Sequence, residues 1–432
     1  MRIQKDFKAI TIPDLKLKLL NWAQQEKVFL WCDSNTHLGN QTYETYDAVL
    51  AIGVQSELKC SCENAFEKLK QFRKVADDYV FGYLSYDLKN DIEALSSQNF
   101  DGVGFDDLYF FQPQKIIFLQ QSTLSFSYLN EFEDEMEKDF QKIQNSNFNV
   151  IFPKTDIHIQ QRISTASYQE KLKNILAHIH RGDIYEVNFC QEFYAEDCEI
   201  HPLTVYSELN SISTPPFATF LRINDKYLLS ASPERFVKKI GSKVISQPIK
   251  GTARRSSHLK EDEKIKAELS KDPKERSENI MIVDLVRNDL SKTAIKGSVR
   301  VEELCKVYTF QQVHQLISTV VSEVSDEIDV IDIIISLFPM GSMTGAPKIS
   351  AMEIIEELEE TKRGLYSGAV GYFSPENDFD FNVVIRSILY NATRKYVSFS
   401  VGGAITAQSK IENEYNECML KAEAMKKALN QK

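Results

Sequence analysis

The sequence contains no long apolar run. Its longest aliphatic stretch, residues 330–338, is broken by Asp332 and is far too short to cross a bilayer. No basic, apolar, small-residue segment of the signal-peptide type opens it, so a cytoplasmic protein without a membrane partner is expected. Basic charge is also in deficit. Lys and Arg number 51 against 62 Asp and Glu, a formal net charge of −11, and no cluster of Lys and Arg offers a track for a phosphate backbone. Nucleic acid is therefore not expected as a partner. The seven cysteines are scattered without a disulfide framework, which suits thiols kept reduced. Cys60 and Cys62 are close, but no second Cys or His pair stands at zinc-site spacing. Tandem repeats, low-complexity tracts and Gly/Ser-rich or Pro-rich linkers are missing as well.

Several catalytic signatures are absent too. The segment 341–348, GSMTGAPK, only superficially resembles a phosphate loop, because the spacing of its glycines and lysine is wrong for one. No Gly-x-Ser-x-Gly element is present. His178 and His180, two apart on an expected helix, point to different sides and make poor joint ligands.

What is present is an ordinary globular composition, 43% hydrophobic and 26% charged, with enough apolar material for one large core or two coupled lobes. Residues 1–155 read as an N-terminal subdomain of short alternating runs, such as 79–86, ending in a charged stretch at 131–142 that resembles a solvated helix. Residues 156–432 carry sharper signals. Ser167 and Glu170 have the spacing of a capping box. Leu172, Ile175, Leu176 and Ile179 form one helical stripe, and Gly182 is placed to end that helix in a left-handed turn. Residues 184–193 alternate as a strand, and further β-rich runs fall at 227–230, 243–249, 366–373 and 397–402. Helical blocks are expected near 259–291, 347–361 and 411–429. The order is not a regular βαβ alternation, so the expected class is α+β built on antiparallel sheets.

Three features carry chemistry. In KERSENIMIVDLVRND, Glu275 and Glu278 lie three apart on a helix, and in IENEYNECMLK, Glu414, Glu417 and Lys421 share one narrow helical face. If the two acidic pairs face each other, they make a hard-oxygen site suited to Mg²⁺ holding a carboxylate substrate. Surface helices with salt-bridged glutamates explain the same spacing, and spacing alone does not decide between them. The third feature is Lys250, at the end of an apolar β run and before a glycine, where desolvation would lower its pKa and free an amine to attack carbon. A solvated lysine at a strand end is the alternative.

Together these segments resemble the chorismate-utilising enzymes, the family of anthranilate synthase component I, aminodeoxychorismate synthase, isochorismate synthase and salicylate synthase. The motifs GDIYEVNFCQ, SPERF, PIKGT, KERSENIMIVDLVRND, GSMTGAPK, RGLYSGAVGYF and ENEYNECMLKA occur in the family's order between about 165 and 429, with GYLSYDL at 82–88 as a weaker extension. The resemblance implies the anthranilate-synthase-type fold: two large, mostly antiparallel sheets around the active site, with helices outside. Anthranilate synthases typically carry a small residue where PIKGT has Lys250, so this lysine marks the aminodeoxychorismate branch. The implied reaction converts chorismate and ammonia to 4-amino-4-deoxychorismate for p-aminobenzoate and folate synthesis. Lys250 attacks ring C2 as the C4 hydroxyl leaves, and ammonia then adds at C4 and expels the lysine. Glu234 resembles the family's general acid/base.

By the same resemblance, Glu278 and Glu417 are direct Mg²⁺ ligands, with Glu275 and Glu414 as their outer partners. Tyr366, Arg386, Gly402 and Lys421 grip the substrate's carboxylates, while Thr344 and Gly345 shape the pocket. Two positions depart from relatives. Glu186 stands where isochorismate and salicylate synthases have a lysine base and many aminodeoxychorismate synthases have Gln. Gln315 stands where several relatives have a catalytic histidine, and the adjacent His314 is expected to face elsewhere. No glutaminase signature, no fused lyase and no LLES element of a tryptophan feedback site is found. Ammonia is therefore expected from solution or from a separate glutamine amidotransferase, with a second enzyme completing p-aminobenzoate. Competing readings are a pyruvate-releasing anthranilate synthase component I and a chorismate-binding subunit with little catalysis.

Overall fold

The computed structural model describes residues 1–8, 14–35, 43, 45–146, 157–310 and 312–430. Two long strands, Ala48–Cys60 and Leu108–Gln120, set its architecture. They pair antiparallel, with a register slip between Val54 and Ser56. Such a bulge bends and twists a ribbon, and on either side of it the pair belongs to a different sheet. Along its other edge, Leu108–Gln120 meets Val80–Leu84 in its first part and Thr123–Leu129 in its second.

The first sheet runs from Arg2–Lys8 through Thr123–Leu129 and the two long strands to Val28–Asp33. It continues through Phe217–Ile223, Lys226–Ser232, Ser387–Asn391 and Tyr396–Thr406 to Glu186–Ala195. The second leaves Leu108–Gln120 through Val80–Leu84, Ala369–Phe373, Phe379–Val383, Arg235–Ile240 and Lys243–Gln247. It ends on Val313–Glu323, which also pairs with Ile249–Arg254 and, along its other edge, with Arg300–Thr309. These pairings are all antiparallel; the parallel contact among the described residues is an isolated bridge between Phe100 and Thr361. The expected α+β class with two large antiparallel sheets is observed.

Side-chain alternation explains why both faces are covered. In Val28–Asp33, Phe29 and Trp31 join a core beneath the helices, whereas Val28 and Leu30 join the core shared with the second sheet. The outer core takes Leu172 and Ile175 from Thr165–Arg181, Leu203 from Pro202–Ser213, and Cys418 and Met425 from Ile411–Leu429. Pro273–Ser291 instead packs on Ile249–Arg254 and Val313–Glu323. Asp272 caps it, accepting from the Lys274 and Glu275 amides at 2.9 and 3.0 Å, and Pro273 fills the first turn, where no amide donor is required.

Several local expectations are corrected. Ser164 rather than Ser167 caps the helix that ends at Gly182, because its hydroxyl accepts from the Ser167 amide at 3.2 Å. The expected block 259–291 is two helices, Leu259–Lys271 and Pro273–Ser291, parted at Asp272. The stretch 131–142 is not simply solvated, since Met136, Asp139, Phe140 and Ile143 of Met136–Asn145 are buried. Residues 186–193 are buried on both faces. The expected boundary near 155 lies outside the described residues. On either side of it the chain is interwoven, Val28–Asp33 pairing with Phe217–Ile223 and Val80–Leu84 with Ala369–Phe373. The cysteines are free thiols. Among the described residues no helix is long and apolar enough to cross a membrane.

One buried ion pair ties the loop 341–347 to the strand Glu186–Ala195. Arg363 donates to both Glu359 oxygens at 2.9 and 2.7 Å, to the Met343 carbonyl at 2.6 Å and to the Asn188 carbonyl at 2.7 Å. Glu359 also accepts from the Cys190 amide at 2.9 Å. Arg363→Met would strand that carboxylate and leave two carbonyls without donors, so a loss of about 3–5 kcal/mol in urea unfolding is expected. A loss below about 1 kcal/mol would show that the pair is not the tie it resembles.

Candidate active site

At two glycines of the candidate site, backbone approaches too closely for side chains. Gly345–Ala346 pairs with Val187 and Glu186, and a Cβ on Gly345 would lie 2.1 Å from the Glu186 carbonyl oxygen. On the other edge of the same strand Gly402 opposes Cys190, where a Cβ would stand 2.1 Å from the Phe189 oxygen. Only glycine fits at either place. Thr344 is fully buried, donating from Oγ1 to the Met340 carbonyl at 3.1 Å, while its own carbonyl receives the Asn188 amide at 2.8 Å.

Lys250 follows Pro248 and Ile249 into a bulge of Ile249–Arg254, where the register slips between Ile249 and Thr252 and Gly251 takes a φ of 93°. Its side chain is 13% exposed, and Nζ lies 3.0 Å from Oε1 of Glu186, which is 1% exposed. The amine is thus enclosed, not at the solvated end of a strand. Its ionisation differs from the expectation of a lowered pKa. Burial pushes the ammonium down, but Glu186, Glu278 and Glu234 together outweigh that and leave the pKa raised above its ordinary value. The sequence argument counted desolvation and missed the carboxylates that long-range pairing brings alongside.

Glu234 sits in the turn between Lys226–Ser232 and Arg235–Ile240 and is 5% exposed. Burial pushes its carboxyl up to about 7, against the pull of the Ser342 hydroxyl, Lys250 and Arg386. Ser342 Oγ donates to Glu234 Oε1 at 2.6 Å. Arg386, which has a φ of 49°, follows Phe379–Val383 and precedes Ser387–Asn391. Burial pushes its guanidinium down, opposed by Glu234. A carboxylic acid near neutrality is thus coupled electrostatically to both the enclosed lysine and a desolvated guanidinium, a combination able to protonate a leaving oxygen near an anion.

The two acidic helices converge electrically. Glu275, Glu278, Glu414 and Glu417 all act on one cation, the Lys274 ammonium, and raise its pKa against the effect of burial. Burial pushes Glu278 up to about 7, and it also raises Glu275 and Glu414, with Glu417 adding to both. Glu417 is lowered, because Lys421 at 2.8 Å outweighs its burial. One oxygen of Glu278, Oε1, is buried and accepts no hydrogen bond. Among the described residues no three carboxylate, histidine or cysteine groups are gathered tightly enough to form a ready-made metal cluster. Two of the glutamates are instead ion-paired with lysines, Lys274 lying 3.7 Å from Glu278 and Lys421 2.8 Å from Glu417.

Lys421 also donates to the Gly402 carbonyl at 2.9 Å, so two of the expected substrate-gripping positions are joined to each other. Tyr366 is buried, with its hydroxyl 3.5 Å from Cys190 Sγ. His314 points away from Lys250, its ring nitrogens 3.0 Å from Asp262 Oδ1 and 3.0 Å from Thr309 Oγ1. Gln315 donates to Thr252 Oγ1 at 3.4 Å, and its Oε1 is buried without a partner. Sequence reasoning did not single out Ser342 or Lys274, although both lie within motifs it quoted. Neither helical nor strand period marks a residue whose partner comes from another element.

The family described as chorismate binding enzyme matches residues 26–427. The aminodeoxychorismate synthase component 1 of Escherichia coli K12 is 38% identical over 62% of this chain and 59% of its own length. That of Bacillus subtilis 168 is 33% identical over 81% of the chain and 76% of its own. The match to the first of these thus spans less than two thirds of that relative. In fold, the chain resembles the crystal structure of anthranilate synthase component I from Streptococcus pneumoniae TIGR4. The TM-score is 0.79 and the identity 23%, over 90% of this chain and 95% of that one.

Proposed function

The chain belongs to the chorismate-binding enzymes, and from that premise we propose that it converts chorismate and ammonia to 4-amino-4-deoxychorismate. The observation that carries this reading is the enclosed Lys250 beside Glu186, with Glu234 close enough to act on it electrostatically. An amine held in a pocket can attack carbon without competing with bulk solvent. Glu234, with its carboxyl near neutrality, can retain the proton that turns a departing C4 hydroxide into water. Ammonia then attacks C4 and the lysine leaves, so two displacements replace one difficult substitution.

The residues are compatible with Mg²⁺. The donor set is all carboxylate, Glu278 Oε1 is buried and accepts no hydrogen bond, and all four glutamates act electrostatically on the Lys274 ammonium. Glu278 and Glu417 would hold the ion directly, with Glu275 and Glu414 behind them. Bound there, Mg²⁺ would supply positive charge to the substrate's ring carboxylate. Arg386 offers a planar fork for a second carboxylate, while Lys421, anchored to the Gly402 carbonyl, fixes that wall of the pocket. The designation "component 1" borne by the relatives supports a two-part synthase, in which a separate glutamine amidotransferase supplies ammonia to this chain for p-aminobenzoate synthesis.

Product analysis of the purified protein with chorismate, Mg²⁺ and an ammonium salt tests the proposal. The expected product is 4-amino-4-deoxychorismate, with pyruvate released only after a downstream lyase is added and turnover lost on chelation. Pyruvate and anthranilate formed without the lyase would assign the chain to the anthranilate branch instead. Binding of chorismate without turnover would leave only a ligand-binding subunit.

A further inference from the structure

We propose that Glu186 is the base that takes the ammonium proton of Lys250 and so makes its amine nucleophilic inside the pocket. This rests on the Lys250 adduct of the proposed reaction, and it assigns a task to the buried carboxylate beside that lysine.

The contact itself is the first observation. Glu186 Oε1 lies 3.0 Å from Lys250 Nζ, and it is the carboxylate within ion-pair distance of that amine among the described residues. The second is the other oxygen. Oε2 of Glu186 is buried and accepts no hydrogen bond. A buried polar atom left unpaired costs free energy and calls for a reason, and an acceptor with spare capacity beside a protonated amine supplies one. The third is rigidity. Glu186 pairs with Ala346 on one side and Thr406 on the other, and its carbonyl sits against Gly345 too closely for any side chain there. The backbone that carries this carboxylate is thus fixed relative to its two neighbouring strands.

Proton transfer is needed because of the charges around Lys250. Glu186 faces it from its strand, Glu275 and Glu278 from Pro273–Ser291, Glu234 from its turn and Glu417 from Ile411–Leu429. Despite burial they keep the side chain an ammonium, which has no lone pair for attack. Of these carboxyls, Glu234 must carry its own proton for the leaving hydroxyl, and the three helical glutamates belong to the proposed metal site. Glu186 alone is both adjacent and otherwise uncommitted.

The Lys250 ammonium gives one proton to Glu186. The neutral nitrogen bonds to C2, the C1–C2 π pair moves to C1–C6, and the C5–C6 π pair moves to C4–C5. The C4–O bond breaks, its oxygen leaving as water with the proton of Glu234. The bound nitrogen is now a secondary ammonium. When ammonia attacks C4 the π shifts reverse, and Lys250 leaves as a neutral amine that recovers its proton from Glu186. The new C4 ammonium returns a proton to Glu234.

The test is adduct formation without ammonia, followed by rapid quench and intact-protein mass spectrometry at the mass of protein plus chorismate less one water. Wild type, Glu186→Gln, Glu186→Asp and Lys250→Ala are compared with chorismate and Mg²⁺ across pH. Gln keeps the size and an oxygen facing the amine but cannot hold a proton. The wild-type rate should exceed that of Glu186→Gln by about 100-fold near about pH 6, and the ratio should shrink up to tenfold per pH unit as bulk hydroxide takes over. The titration of Glu234, common to both proteins, cancels in the ratio. Glu186→Asp should stay slow while keeping the wild-type pH profile, and chorismate affinity should change by less than about threefold in both variants. Equal rates and profiles for wild type and Glu186→Gln would overturn the assignment while leaving the adduct intact. Should Glu186→Gln fail to fold, a wild-type rate that already climbs tenfold per pH unit through neutrality would overturn it as well. Absence of any wild-type adduct, or an adduct in Lys250→Ala, would remove the parent reading and this one with it.

Discussion

Lys250→Ala is expected to cut ammonia-dependent turnover by roughly 10³-fold or more, the scale on which loss of a covalent nucleophile acts. The alanine variant alone is ambiguous, because removing the ammonium also leaves Glu186 buried without its 3.0 Å partner, and breaking a buried pair destabilises by about 3–5 kcal/mol unless the carboxylate takes up a proton. Lys250→Arg separates the two effects. A guanidinium can satisfy Glu186 and preserve the fold, yet it stays protonated and cannot attack carbon. Both variants should therefore lose turnover, and only alanine should lose stability in thermal unfolding. Turnover retained by either variant within about tenfold would exclude the amine from the reaction.

Glu234→Gln should lower turnover by about 10²–10⁴-fold, the usual contribution of a positioned general acid. The amide can still accept from Ser342, which donates to Glu234 at 2.6 Å, so the pocket should keep its shape and bind chorismate. In the native protein the Glu234 carboxyl, pushed up to about 7 by burial, is protonated below that pH. Turnover attributable to the acid should be present below about pH 7 and lost as pH rises through it. The stability effect has the same sign, because the folded state binds more protons than the unfolded one between the ordinary carboxyl pKa and about 7, so unfolding free energy falls with rising pH across that interval. Glu234→Gln should remove both dependences. A kcat profile for the variant that still falls through neutrality would assign the titration to another group, Glu278 being the first to examine.

Local sequence pattern placed candidate residues on strands and helices but did not report their electrical state. PIKGT placed a lysine at the end of an apolar run, and the structure has it at a bulge in the next strand, Ile249–Arg254. Its raised pKa depends on Glu186 and Glu278, which reach it from another strand and a helix, and no local period reports such neighbours. The acidic pairs were visible at three-residue spacing; their shared electrostatic action on Lys274 was not, because it depends on how two helices pack on different sheets. The same division holds for the fold. The stripe from Leu172 to Ile179 and the closing Gly182 were readable because they are local, whereas the helix start at Thr165 was misjudged by choosing Ser167 over Ser164 as the cap. The buried strand Glu186–Ala195 shows alternating residue types, yet it is covered on both sides by elements from distant parts of the chain.

The two bent strands that pass from one sheet into the other bear on how this protein could be dissected. The motifs of the site all lie beyond residue 156, but that stretch cannot be lifted out as a self-sufficient cassette. Without the earlier residues, Phe217–Ile223 would lose Val28–Asp33 and Ala369–Phe373 would lose Val80–Leu84, baring two apolar seams of unpaired backbone of the kind that drives chains to stick together. The half that carries the candidate site depends on the earlier half to cover two of its strand edges.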